Sequence, residues 1–194
     1  MRNLVIPFAA VMLAATPALA QDASAAADAQ LTATAREAIK GLGGTLKEKL
    51  QAAMKDGGPV AALSVCNVEA PKIEKDRSDA SSMDVGRTAL KVRNPGNAPD
   101  AFERRVMEDF VAKIKGGADA MKLEHAETVD EGGKKVFRYL KPIMTAGSPC
   151  LACHGSELKP EVAAKIKELY PADQATGFSA GDMRGAFTVK KVVQ

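Results

Sequence analysis

The chain has 194 residues, a formal charge of +3, 4% aromatic residues and no Trp. That length suits one ordinary domain with a real core. The small positive charge does not argue for binding to nucleic acid or a membrane surface, and so few aromatics disfavour a base-stacking platform.

The chain opens with Met1 and Arg2, an apolar run from Leu4 to Ala15, and the small-residue exit Ala18-Leu19-Ala20. This is the pattern of a secretory signal peptide over residues 1–20. The run is too short for a spanning helix and carries Pro7, and no later stretch is long and apolar enough. The mature chain is therefore expected to start near Gln21, without stable membrane insertion, and in a bacterium to reach the periplasm. Residues 21–29, rich in Ala and Ser, read as a spacer, and 30–194 as a single domain.

Apolar residues at Leu31, Ala35, Ile39, Leu42, Leu46, Leu50 and Met54 predict an amphipathic helix over 30–55. Gly41, Gly43 and Gly44 weaken its middle and mark a kink or a close contact. Gly57 and Gly58 end it, and Pro59 suits the first turn of a second helix running to Ala70, where Pro71 stops or restarts it. A polar linker is expected over 76–82, then a strand from Val85 to Arg93, closed by the turn cluster Asn94 to Pro99. Phe102, Val106, Phe110, Val111 and Ile114 form the stripe of a third helix over 100–115, ended by Gly116 and Gly117. Residues 121–129 and 134–140 are strand candidates around Asp130 to Gly133. A short helix is expected over 159–169, a Gly-containing loop over 176–182 and a closing strand over 184–193. Helices first and hairpins later, without βαβ alternation, predict an α+β fold.

The chemistry sits in Cys150-Leu151-Ala152-Cys153-His154, a C-x-x-C-H motif behind an export signal, which points to covalent attachment of one c-type haem. Two thiols add across the haem vinyls, and the adjoining imidazole of His154 takes an axial position on the iron. Two other chemistries use the same residues. A thioredoxin-like dithiol normally follows a buried strand in a βαβ unit, whereas this motif follows the loop-like run Thr145 to Pro149. Cys66, Cys150, Cys153 and His154 also make a Cys3His set for zinc, although adjacent Cys153 and His154 would strain one tetrahedron. The second axial position has several candidates: Cys66, unpaired in an exported chain, His125, and the methionines Met54, Met83, Met107, Met121, Met144 and Met183. Cys66 also reads as a small buried hydrophobe, whereas His125 reads rather as a surface residue among Glu124, Glu127 and Asp130, and the methionines rather as packing than as ligands.

Further segments carry a resemblance. Ala61 to Cys66 with Ala70-Pro71, Arg87 to Pro95 with Asn97, Pro99 and Asp100, Cys150 to Gly155, Tyr170 to Asp173 with Thr176-Gly177, and Gly181 to Ala186 occur in one order. The chain resembles the c-type haem domain family with a PAS-like fold, found as small exported haem proteins and as sensor portions of bacterial signalling proteins. The resemblance implies a five-stranded antiparallel sheet flanked by helices, with His154 as proximal and Cys66 as distal haem ligand. It makes Arg87, Arg93 and Asn94, and less strongly Tyr139 and Arg184, candidates for the haem edge or propionates, since fixed guanidinium groups pair well with carboxylates. With no kinase segment after Gln194, a stand-alone form that signals through a separate protein is expected.

Three function classes follow. A periplasmic sensor of redox state or a diatomic gas is favoured, a single-haem electron-transfer protein with a donor or acceptor partner comes second, and an enzyme such as a peroxidase comes last. A peroxidase needs a distal acid–base group, and no residue obviously supplies one.

Overall fold

A computed structural model describes residues 17–193. The export signal predicted over residues 1–20 lies almost wholly outside the described residues. Helix α1 spans Pro17–Ser64 but is broken at Gly57 (φ −149°, ψ 17°) and Gly58 (φ 67°, ψ −163°). Pro59 follows the break and begins a new helical run, as the Gly-Gly-Pro sequence predicts. A π-helical turn, Val65–Glu69, leads into α2, Ala70–Ser81, which restarts with Pro71 in its first turn.

Two expected irregular segments are helical. The Ala-rich stretch 22–29 lies inside α1, since Ala is the strongest helix former, and Thr128 donates to Asp28 across to the sheet at 2.9 Å. Residues 76–81 belong to α2, because its buried positions are only Ala70 and Ile73 and its polar residues pair with one another. Lys75 meets Asp79 at 2.6 Å, and Ser78 accepts from the Val85 N–H at 2.9 Å, tying the helix end to the next strand.

The sheet is antiparallel, built from β1 (Asp84–Thr88), β2 (His125–Glu131), β3 (Lys134–Met144) and β4 (Met183–Val192) in the order β1-β4-β3-β2. β2 and β3 form a hairpin with Glu131 opposite Lys134. Its tip, Gly132 (φ 64°) and Gly133 (φ 83°), has the left-handed backbone that a two-residue turn demands. Among the described residues the sheet has four strands, not the five implied by the family resemblance. The segment after Thr88 leaves the sheet instead of extending β1 to residue 93. Pro95 and Pro99 have no N–H for a ladder, and the backbone curls so that the Ala89 N–H reaches Asn97 O at 3.3 Å. The strand predicted from Met121 begins at His125, after a 3-10 turn (Ala120–Lys122) capped by Asp119.

Both sheet faces are covered. On one, Val85, Phe137, Tyr139 and Val189 pack under Ala35, Ile39 and Leu42 of α1 and Ile73 of α2. The glycines of α1 permit this approach: a Cβ at Gly43 would sit 3.0 Å from the Phe187 ring, and one at Gly41 would sit 3.1 Å from Arg77. On the other face, Leu140 and Ala186 meet Val106, Met107 and Phe110 of α3 (Ala101–Lys115), whose start is fixed by a capping box of Asp100 and Glu103. The turn α4 (Leu151–His154) precedes α5 (Pro160–Leu169), whose Val162 and Ile166 pack on Leu63.

At Gly185 the β1–β4 ladder has no room for a side chain, because a Cβ would overlap the Thr88 carbonyl and crowd Ala89. Gly185→Ala is expected to lower stability by about 1–3 kcal/mol in chemical denaturation, as overpacking does.

Candidate haem site

Past the ends of β1 and β4, a cleft with a cavity of about 240 Å³ opens between the Pro59–Ser64 helix, the π turn and α4. Its position follows from local sequence. β3 ends in an irregularity between Ile143 and Met144, and the Thr145 N–H then bonds to Asp182 O at 2.8 Å. The chain next closes a single helical turn, with the His154 N–H on Cys150 O at 2.9 Å. Cys150, Cys153 and His154 are thus three and four residues apart on one helical face, and all three line the cleft. Gly155 ends the turn where a Cβ would lie 2.7 Å from Leu151 O.

A second strip of backbone grips this turn. The Gly177 N–H bonds to Gly155 O at 3.0 Å and the Phe178 N–H to His154 O at 2.9 Å. His154 Nδ1 lies 2.8 Å from Ala175 O, so it carries the proton it donates and leaves the lone pair on Nε2. Burial, then the Arg184 and Arg93 guanidinium groups, push this imidazole down to about 3, so it is neutral at physiological pH. A neutral imidazole oriented through its second nitrogen is the form that ligates a metal.

Across the cleft, Cys66 sits in the π turn, partly buried, and all three cysteines are free thiols. Burial raises the thiol of Cys153. Among the described residues, no three His, Cys, Asp or Glu side chains converge closely enough to hold a metal ion. The Cys3His zinc set considered from sequence is therefore not assembled.

Arg87, Arg93, Asn94 and Arg184 all line this cleft. Arg87 pairs with Glu74 at 2.7 Å, and Asn94 caps its own turn by accepting from the Gly96 N–H at 3.0 Å. Arg184 Nε faces His154 Nε2 at 3.5 Å. Burial, then Arg93 and Arg87, push Arg184 down to about 10, the mark of positive charge gathered in a poorly solvated space. Two anionic propionates would relieve that crowding.

Tyr139 is a correction. It lies opposite Val189 in the ladder, on the face covered by α1, fully buried away from the cleft, with its hydroxyl donating to Glu124 at 2.9 Å. Burial and that carboxylate raise its phenol further. His125 packs edge-on against Phe102 and meets Glu127 at 3.0 Å on β2. Of the methionines, Met54 and Met144 line the cleft, while Met83 and Met107 are core and Met121 is exposed. Sequence reasoning assigned no role to Tyr170, Asp173 or Ala175. Tyr170 lines the cleft, and the other two brace His154 and Arg93.

An α+β fold of this kind, with a C-x-x-C-H turn, an opposing thiol and buried guanidinium groups around one cleft, defines a small domain built to hold a prosthetic group. The chain belongs to the Tll0287-like family, whose model matches residues 18–191. Its structure is similar to the crystal structure of the cyanobacterial haem protein Tll0287, with a TM-score of 0.66 and 26% identity, over 85% of this chain and 96% of that one. A search of curated proteins finds no matching sequence.

Proposed function

We propose that this chain is an exported, periplasmic single-haem c-type cytochrome with a PAS-like domain, acting as a sensor of redox state or of a diatomic gas. One observation carries the reading: Cys150, Cys153 and a neutral His154, with the lone pair left on Nε2, line one cleft with Cys66. Cys150 and Cys153 would hold the cofactor by thioether bonds, and His154 (proximal) and Cys66 (distal) would ligate its iron. Kinship with a haem protein supports this assignment. When bound, a haem supplies one-electron redox chemistry and, at an open axial position, a site for a small gas.

The residues around Cys66 suit a switch. A π turn re-aims its side chains relative to the flanking helix, and such turns favour functional sites. Cys66 is also only eight residues beyond the Gly58 break, so the Pro59–Ser64 run that delivers it joins the rest of α1 through non-helical backbone. Release of Cys66 would let the Pro59–Ser64 helix shift, a local change with a wider readout by a separate signalling protein. No catalytic residue is assigned.

The test compares absorption and EPR spectra of wild type and Cys66→Ser, oxidised and reduced, with and without CO. The expected result is a low-spin thiolate signature in oxidised wild type, lost in the variant, and CO binding to the reduced wild type. Unchanged low-spin spectra in the variant with no CO binding would make Cys66 a packing residue and the protein an electron carrier.

A further inference from the structure

The structure assigns Arg93 the role of a positioning residue that sets the donor strength of His154 through the carbonyl of Ala175. This inference rests on the proposed ligation by His154. The Ala175 oxygen accepts two bonds at once, from His154 Nδ1 at 2.8 Å and from Arg93 Nη2 at 3.1 Å. Arg93 also donates to Cys153 O at 2.7 Å and to both carboxylate oxygens of Asp173, at 3.0 and 3.2 Å. Arg93 is 7% exposed, so the network is shielded from water and salt. Arg93 lines the cleft, as expected of a haem-edge candidate, while its fork is committed to the loop that carries His154.

The physical consequence has a definite sign. A hydrogen bond from the free N–H of a ligating imidazole makes the ligand more basic, in proportion to the strength of the acceptor. A guanidinium on the same carbonyl draws electron density from that oxygen and weakens it as an acceptor for His154. Asp173 moderates the effect by neutralising Arg93, and its own Oδ1 accepts the Ala175 N–H at 2.9 Å. Arg93 therefore holds His154 a weaker donor than the geometry of its bond alone would give. It would favour the reduced state of a bound iron, against the effect of a Cys66 thiolate ligand.

Arg93→Lys separates this role from simple charge. Lysine keeps the positive charge but cannot reproduce a planar fork on four acceptors. With Ala175 O released, the midpoint potential is expected to fall by at least tenfold in the reduction equilibrium, about 59 mV for one electron. The g-spread of the oxidised EPR signal should change with it. Asp173→Asn, which leaves Arg93 on Ala175 without its neutralising carboxylate, should raise the potential. A haem-loaded Arg93→Lys within twofold of wild type overturns the inference, as does an Asp173→Asn potential that is unchanged or lower. Should Arg93→Lys fail to fold, the NMR shift of the His154 Nδ1–H proton in haem-loaded Asp173→Asn decides: a shift identical to wild type overturns the inference, because the lost charge alone would raise the potential. Wild type without covalent haem would defeat the proposed function and this inference together; haem-loaded wild type with unmoved variants would defeat only the inference.

Discussion

Arg138→Met is expected to destabilise the fold by about 3–5 kcal/mol, although it lies outside the cleft. Arg138 is 1% exposed on β3, over the Phe102 ring at 4.5 Å, and meets Asp100 at 2.7 Å, Glu103 at 3.6 Å and Glu131. Glu103 is itself buried and also accepts from Thr188 at 2.7 Å. Removing the guanidinium leaves that carboxylate in a low-dielectric space, and the loss is the cost of an unpaired charge more than the net worth of the pair. Adding Glu103→Gln should recover part of it. Urea unfolding at neutral pH reads both, and a cost below about 1 kcal/mol would show that water reaches Glu103 once Arg138 is gone. The same cluster sets an acid limit. Burial works against the Asp100 carboxylate, but bonds from the Glu103 N–H, Lys190 and Arg138 outweigh it and hold Asp100 at about 2, below its ordinary 3.8. A depressed carboxylate contributes fully above its unfolded value, so this share of stability should be complete above about pH 4 and fade as pH falls toward 2.

His154→Ala should have the largest effect on the cofactor. On the proposed reading Cys150 and Cys153 would still tether the haem in this variant, but the imidazole braced by Ala175 is gone. The low-spin spectrum expected of wild type should be lost entirely and replaced by a high-spin one, with the covalent mass retained. Removal of a side chain that bonds Ala175 O also loosens the 173–178 strip, so protease cleavage there should rise. A low-spin spectrum indistinguishable from wild type would show that another residue ligates the iron.

Much of the architecture was legible because it depends on local chemistry. Gly57-Gly58-Pro59, Gly116-Gly117 and Gly132-Gly133 mark breaks that hold whatever packs around them, and the C-x-x-C-H motif places three cleft residues by spacing alone. Two things depend on partners distant in sequence. Strand register decides which way Tyr139 points, and a shift of one residue would turn it to the other face. The carboxylate that anchors Arg93 is Asp173, eighty residues later, a pairing no periodicity encodes. The polar stretch 76–81 looks like a linker because its helix is held by side-chain pairs and one buried Ile73 rather than by a broad apolar stripe. The role of Ala175 was out of reach for a different reason: it acts through its backbone carbonyl, and any residue there supplies one.

The proposed function requires that the cleft hold one covalently bound haem. The most direct measurement is the intact mass of the chain, purified from cells with haem-attachment machinery and denatured before analysis. A mass equal to the mature chain plus one haem, reverting to the bare chain in the Cys150→Ala/Cys153→Ala double variant, is the predicted result. A wild-type mass equal to the bare chain would contradict it.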